Sequence, residues 1–312
     1  MILNYNNEID KQLAEKFSEQ TIQNIKFGTL GYLCVNITSA PDTNFDFKMY
    51  YDLDYSLEQY NKTKHSIIVN DLFKKNLIKS IEIAHDENNK ECNRFNLKLN
   101  RSNNKITELF TYLSTQIPFW GKYSDEIQKL SQMKISEDEN QSYAALMSLG
   151  FLQNKNVISI LKCYWSCKHR ENSNIYDNHY YLKFLKENSY ENISNIVKIA
   201  EELLTNCEAK LWMFGNDYKE ECSLNAKIYI AEAANLYSGL SKTFINNLQM
   251  TQKIQIIENW NKVHPEFYCN GIAIGKNSQN EITLNFYFKL KMNKLKKLIT
   301  KMATKQSKMP NP

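Results

Sequence analysis

Lys227-Ile228-Tyr229 closes a strand-like run that begins at Ser223, after an earlier run over Ala209–Phe214 and a polar turn. In an extended chain residues i and i+2 point to the same face. Lys227 and Tyr229 therefore project together, with Ile228 on the opposite side. Endings of the same kind recur at Phe47-Lys48-Met49-Tyr50, Asn96-Leu97-Lys98, Lys162-Cys163-Tyr164 and Asn285-Phe286-Tyr287. Each closes the second of two short runs joined by a turn, and long helical stretches separate the pairs. If the hairpins close on one another, the Lys and Tyr residues converge on one interior.

The rest of the chain follows this frame. The first ~25 residues read as a helix with Leu13, Phe17, Ile22 and Ile25 on its apolar face. Gly31–Ile37 and Phe45–Tyr55 form the first hairpin around the turn Thr38–Asn44. Residues 57–85 carry apolar positions at helical spacing (Ile67, Ile68, Leu72, Leu77, Ile78, Ile81) and read as helix. That leaves Arg94–Asn100 as a strand with a weak partner around Ile83–His85. Residues 104–132 read as helix broken at Pro118, because the residue before a proline resists helix. Tyr143–Leu152 with Val157–Cys167 is the third hairpin, and helix follows over 191–206. The fourth hairpin is the one quoted above. Helix over 232–260 leads to the fifth, Phe267–Ile274 and Ile282–Leu290 around Gly275–Gln279.

Helix–helix–strand–strand thus recurs at intervals of about 50–60 residues, as when one supersecondary unit is reused. Hairpins imply antiparallel pairing, and ten strands suffice to close a barrel with an internal cavity. The expected class is α+β: a ten-stranded antiparallel β-barrel surrounded by helices. The alternative is an open α+β sheet with ordinary buried tyrosines. No Pro/Gly/Ser-rich linker divides the 312 residues, since Gly (8) and Pro (5) are scarce, so a single domain over 1–312 is expected.

Charge and cysteines narrow the function classes. The net charge of +5 comes largely from the eight lysines from Lys289 to Lys308, seven of them in a basic C-terminal tail over 291–312. Without that tail the chain is near neutral, so no nucleic-acid partner is indicated. The tail reads as a solvated amphipathic helix. The seven cysteines are odd in number, scattered, and not at metal-ligand spacing. With no signal peptide and no 18-residue apolar run, a reduced, cytoplasmic monomer without a membrane span is expected. No DDxxD run, P-loop, GxGxxG, GxSxG or HExxH occurs. Of the five histidines only His264, before Pro265 and Glu266, stands at the start of a hairpin.

The inward lysines carry the chemistry. Lys48, Lys98, Lys162 and Lys227 occupy equivalent places, three of them with Tyr two residues on. A buried ammonium is costly unless an anion neutralises it, and a diphosphate would do so. Tyrosine faces attract cations, by about 2 kcal/mol when desolvated, and exclude water that would quench a carbocation.

This repeat with Lys-x-Tyr strands resembles the ABBA-type aromatic prenyltransferases, and within them the cyanobactin peptide prenyltransferases. Three stretches carry the likeness to that branch: Phe95-Asn96-Leu97-Lys98, Gly121-Lys-Tyr-Ser-Asp-Glu126, and Ile272-Ala-Ile274 followed by Leu284-Asn-Phe-Tyr-Phe288. The resemblance spans residues ~28 to 290. It implies a barrel enclosing dimethylallyl or geranyl diphosphate and an electron-rich acceptor on a ribosomal peptide or a small aromatic metabolite. Lys48, Asn96, Lys98, Lys162, Lys227 and Asn285 would bind the diphosphate, and Tyr50, Tyr164, Tyr229 and Tyr287 would shield the allylic cation. Magnesium could assist the diphosphate, although no motif demands it. The family places a Glu on the first strand as base or orienting group, where this chain has Asn36. Asn can orient a donor but cannot take a proton. Glu266 or Asp46 would have to substitute, with Asn36 and Glu266 as the catalytic pair. A non-catalytic ligand-binding barrel is the alternative from another class.

Overall fold

A computed structural model describes residues 6–16, 30–41, 45–52, 67–86, 92–100, 103–131, 145–154, 157–166, 182, 194–221, 223–231, 233–277 and 279–291. The basic tail after 291, the continuation of the first helix past 16, and Cys167, Cys222, His65, His169 and His179 lie outside them.

Ten strands form one closed antiparallel barrel. They are β1 (Leu30–Thr38), β2 (Asp46–Asp52), β3 (Ile78–Asp86), β4 (Cys92–Leu99), β5 (Ala145–Asn154), β6 (Val157–Ser166), β7 (Lys210–Tyr218), β8 (Ser223–Ala231), β9 (Tyr268–Lys276) and β10 (Ile282–Lys291). Neighbours in sequence are neighbours in space, and β1 closes the barrel against β10 in the register Asn36↔Asn285 and Cys34↔Tyr287. The α+β barrel is therefore observed, and the open sheet is not. One end of the barrel holds the tight hairpin turns. The other is where the longer, helix-bearing connections attach.

Among the described residues these connections and the start of the chain supply α1 (Asn6–Lys16), α2 (Ile67–Lys74), α3 (Asn103–Gln116), α4 (Trp120–Ser131), α5 (Ser194–Asn206), α6 (Leu236–Thr243) and α7 (Leu248–Val263). Pro118 separates α3 from α4. The Asn247 side chain caps α7 by accepting from the Met250 amide at 3.1 Å.

Strand alternation sorts the side chains cleanly. Leu33, Val35, Phe47, Met49, Phe95, Leu97, Leu161, Trp165, Ile228, Ile230, Phe286 and Phe288 are buried on the outer face, in one core shared with the helices. Trp165 stacks on Phe214 at 4.6 Å, and Trp260 of α7 meets Phe288 edge-on at 5.3 Å. The hydrophobic core thus lies between barrel and helices, which leaves the inner face to polar and aromatic residues.

Two expectations need correction. The helix expected over 57–85 ends at Lys74, and β3 begins at Ile78. Asn76 takes a left-handed backbone (φ 56) just past the helix, where Asn and Gly stop helices. Leu77, Ile78 and Ile81 belong to the strand side of that stop. Likewise β7 runs to Tyr218, so Gly215, Asn216 and Asp217 are strand rather than turn.

Candidate functional site

A cavity of about 190 Å³ opens inside the barrel toward the helix-linked end. Its wall includes Tyr50, Tyr164, Tyr229 and Tyr287, contributed by β2, β6, β8 and β10. The four rings form a continuous arc. Tyr50 lies 6.2 Å from Tyr287, Tyr287 6.0 Å from Tyr229, and Tyr229 5.9 Å from Tyr164, all in tilted or edge-on contact. Such offsets suit ring quadrupoles. Burial pushes the phenols of Tyr229 and Tyr287 above their ordinary range, and the Asp217 charge adds to this at Tyr229. Both hydroxyls stay protonated at neutral pH, so the wall can donate hydrogen bonds.

Strand glycines make room for this arc. A Cβ on Gly215 would stand 2.8 Å from the Tyr164 ring and 3.4 Å from that of Tyr229. Gly215 pairs with Tyr164 on one side and Lys227 on the other. A glycine within a strand often marks such a close approach.

The lysines divide. Lys98 lines the cavity and is exposed. Lys162, Lys227 and Lys48 sit one step nearer the hairpin turns and do not line it. Lys162 is ion-paired with Asp217, with only 9% and 14% of the two side chains exposed. Asp217 stands directly opposite Lys162 in the β6–β7 register. Part of the interior positive charge is therefore neutralised by the protein itself.

The amides make their own contacts. Asn36 donates through Nδ2 to Asn285 Oδ1 at 2.8 Å and does not line the cavity. Asn285 is 3% exposed, and its Nδ2 is buried without a hydrogen-bond partner. Asn96 lines the cavity and donates through Nδ2 to Glu82 Oε2 at 2.7 Å. Glu266 stands elsewhere. It lies outside the cavity wall, 3.7 Å from His264 Nδ1, and His264 Nε2 in turn lies 3.2 Å from Asp10 of α1. That cluster joins α1 to α7 on the outer side, and so Glu266 cannot form a catalytic pair with Asn36 in this geometry. Asp46 is opposite Asn36 in register and likewise outside the cavity wall.

Sequence reasoning missed Glu82 and Asp217, because one was read as helix and the other as turn. It also missed Trp212, Met147 and Met213 in the cavity wall. Asn76 was the available signal for the first. A strand lysine with no nearby countercharge was the available signal for the second. Among the described residues no group of three or more His, Cys, Asp or Glu is placed to hold a metal. No described helix is long and apolar enough to cross a membrane.

The sequence matches no family model, and no curated protein matches it either. The fold, in contrast, has counterparts among solved structures. The crystal structure of 6-dimethylallyltryptophan synthase from Micromonospora olivasterospora in complex with DMASPP and Trp superposes with a TM-score of 0.59 at 10% identity, over 93% of this chain and 98% of that one. NotF in complex with brevianamide F and DMSPP gives 0.58 at 7% identity, over 92% and 95%. AnaPT from Neosartorya fischeri gives 0.57 at 12% identity, over 83% and 77%. The barrel of this chain is the ABBA prenyltransferase fold.

Proposed function

We propose that the protein is a prenyltransferase that moves a dimethylallyl group from its diphosphate to an electron-rich acceptor. The observation that carries this is the arc of Tyr50, Tyr287, Tyr229 and Tyr164 along the wall of the barrel cavity. Four ring faces can stabilise an allylic cation and keep water from it. Fold relatives crystallised with DMASPP and DMSPP support the donor class. Lys98 and Tyr hydroxyls at the cavity, with Lys227, Lys48 and the unpaired Asn285 Nδ2 deeper in the barrel, would meet the diphosphate and stabilise it as it leaves. Leaving a buried donor unpaired costs about 1–3 kcal/mol, and a bound anion would relieve that cost. A volume of about 190 Å³ is small beside the roughly 300–1,000 Å³ of sites for drug-sized ligands, which favours the five-carbon donor over geranyl. Among the described residues no group of three or more His, Cys, Asp or Glu is placed to hold a metal, so a Mg2+ would be held chiefly by the diphosphate itself.

For the acceptor, we propose a side chain of a ribosomal peptide inserted from the mouth, following the resemblance to the cyanobactin branch. The small volume favours a second reading, a small aromatic metabolite. Titration calorimetry with the non-hydrolysable thio-analogue of dimethylallyl diphosphate tests the donor site. We expect a Kd on the order of micromolar, weakened in Lys227→Ala and Lys98→Ala. Absence of binding would leave the ligand-binding barrel standing instead. Incubation with dimethylallyl diphosphate and either Trp- and Tyr-containing cyclic peptides or the free amino acids then separates the two acceptor readings.

A further inference from the structure

Alkylating an N–H or O–H acceptor releases a proton, and the site must offer a group that takes it. Asn36 and the carboxylates other than Glu82 that could be considered stand outside the cavity wall. Asn36 is an amide bonded to Asn285. Asp217 is ion-paired with Lys162. Asp46 does not line the cavity, and Glu266 lies in the outer cluster with His264. Among the described residues, Glu82 is the one carboxylate in the cavity wall.

Resting on the proposed function, we propose that Glu82, on β3, is the catalytic base of the transfer, and that Asn96 is its positioning residue. Glu82 is half-buried on the inward face, where it pairs with Asn96 across β3–β4. The 2.7 Å bond from Asn96 holds the carboxylate at the cavity wall, and an ionised carboxylate accepts protons without having to donate one. Lys98, diagonal to Glu82 in the same register, borders the same cavity. Donor anion and acceptor proton thereby meet opposite charges at neighbouring places. In the step, the C1–O bond of the donor breaks and diphosphate leaves with the electron pair. The acceptor's ring carbon or heteroatom gives a pair to C1, and its proton passes to a Glu82 oxygen and then to solvent.

The test uses the full chain, wild type and Glu82→Gln, with the thio-analogue for binding and dimethylallyl diphosphate plus L-tryptophan (N–H) or 2-naphthol (O–H) for turnover. Gln keeps the shape and can still accept from Asn96. We expect the analogue's Kd to stay within about twofold and alkylation to fall by about a hundredfold or more. Release of diphosphate with formation of prenol should persist, so the product shifts from alkylated acceptor to alcohol, and Glu82→Asp should recover part of the alkylation. Glu82→Gln alkylating at the wild-type rate with an unchanged product ratio would overturn the base role alone. So would a wild-type protein that binds the analogue and makes prenol but alkylates neither probe. Failure of the wild type to bind the analogue would instead overturn the donor reading itself.

Discussion

The two ends of the barrel interior are built from similar residues put to different use. Toward the hairpin turns, Lys162 faces Asp217 and Asn36 faces Asn285, so polar groups pair across adjacent strands and leave Asn285 Nδ2 as an unpaired donor. Toward the helix-linked end, two residues further along the same strands, tyrosines face glycine and alanine: Tyr164 opposite Gly215, Tyr229 opposite Ala273, Tyr287 opposite Gly271. Large residues set against small ones leave a lined space instead of a filled one. Equal periodicity along a strand can thus make a plug at one level and a chamber at the next, and the partner strand decides which.

Breaking the plug should have the largest effect. Lys162→Ala strands a buried carboxylate, and we expect about 3–5 kcal/mol loss of stability in urea unfolding. The double variant Lys162→Met, Asp217→Leu should recover most of it, since both members of the ion pair are then removed together. If Lys162→Ala proves neutral, the pair is not the structural plug described. Filling the chamber should cost less. Gly215→Ala places a methyl 2.8 Å from Tyr164, and about 1–3 kcal/mol is expected for such overpacking, with turnover reduced as the ring shifts.

Lys98→Ala sharpens the contrast from the other side. An exposed residue with no ion pair among the described residues should change stability by no more than about 0.5 kcal/mol. Binding of the thio-analogue should weaken about tenfold, or 1.4 kcal/mol, so that Lys98 acts on binding where Lys162 acts on stability. The smallest effect is on alkaline pH dependence. The raised phenols of Tyr229 and Tyr287 keep their protons in the folded state after the unfolded chain has begun to lose them near pH 10. The unfolded state then binds fewer protons, so stability is full below pH 10 and declines above it. Tyr229→Phe should flatten that decline between pH 9 and 11 in denaturant titrations.

Local alternation made the barrel legible. Lys-x-Tyr endings with apolar residues between them state which side each residue takes, and the outer core of Phe47, Leu97, Ile228 and Phe286 agrees. The four tyrosines assigned to one site meet in one arc. What could not be read was pairing across strands far apart in sequence. Asp217 opposite Lys162 is 55 residues away, and nothing local announces it. Glu82 was hidden differently: Ile78 and Ile81 three apart suit either a helix face or a bulged strand, and β3 does carry a register shift between Ile78 and Ser80. Glu266 was chosen for its place beside a strand, yet the chain there still belongs to the outer layer, held by His264.

The closure of β1 on β10 also imposes an order of events on biosynthesis. Cys34 and Tyr287 are neighbours in the finished sheet, yet the ribosome makes some 250 residues between them. Until β10 emerges, β1 keeps one edge unpaired, and the tyrosine arc lacks the member that joins Tyr50 to Tyr229. The nascent chain is thus a curled sheet with an open seam, exposed to mispairing with other edges. The arc and the seal are completed by the same strand, so a molecule that has failed to close also lacks the tyrosine arc.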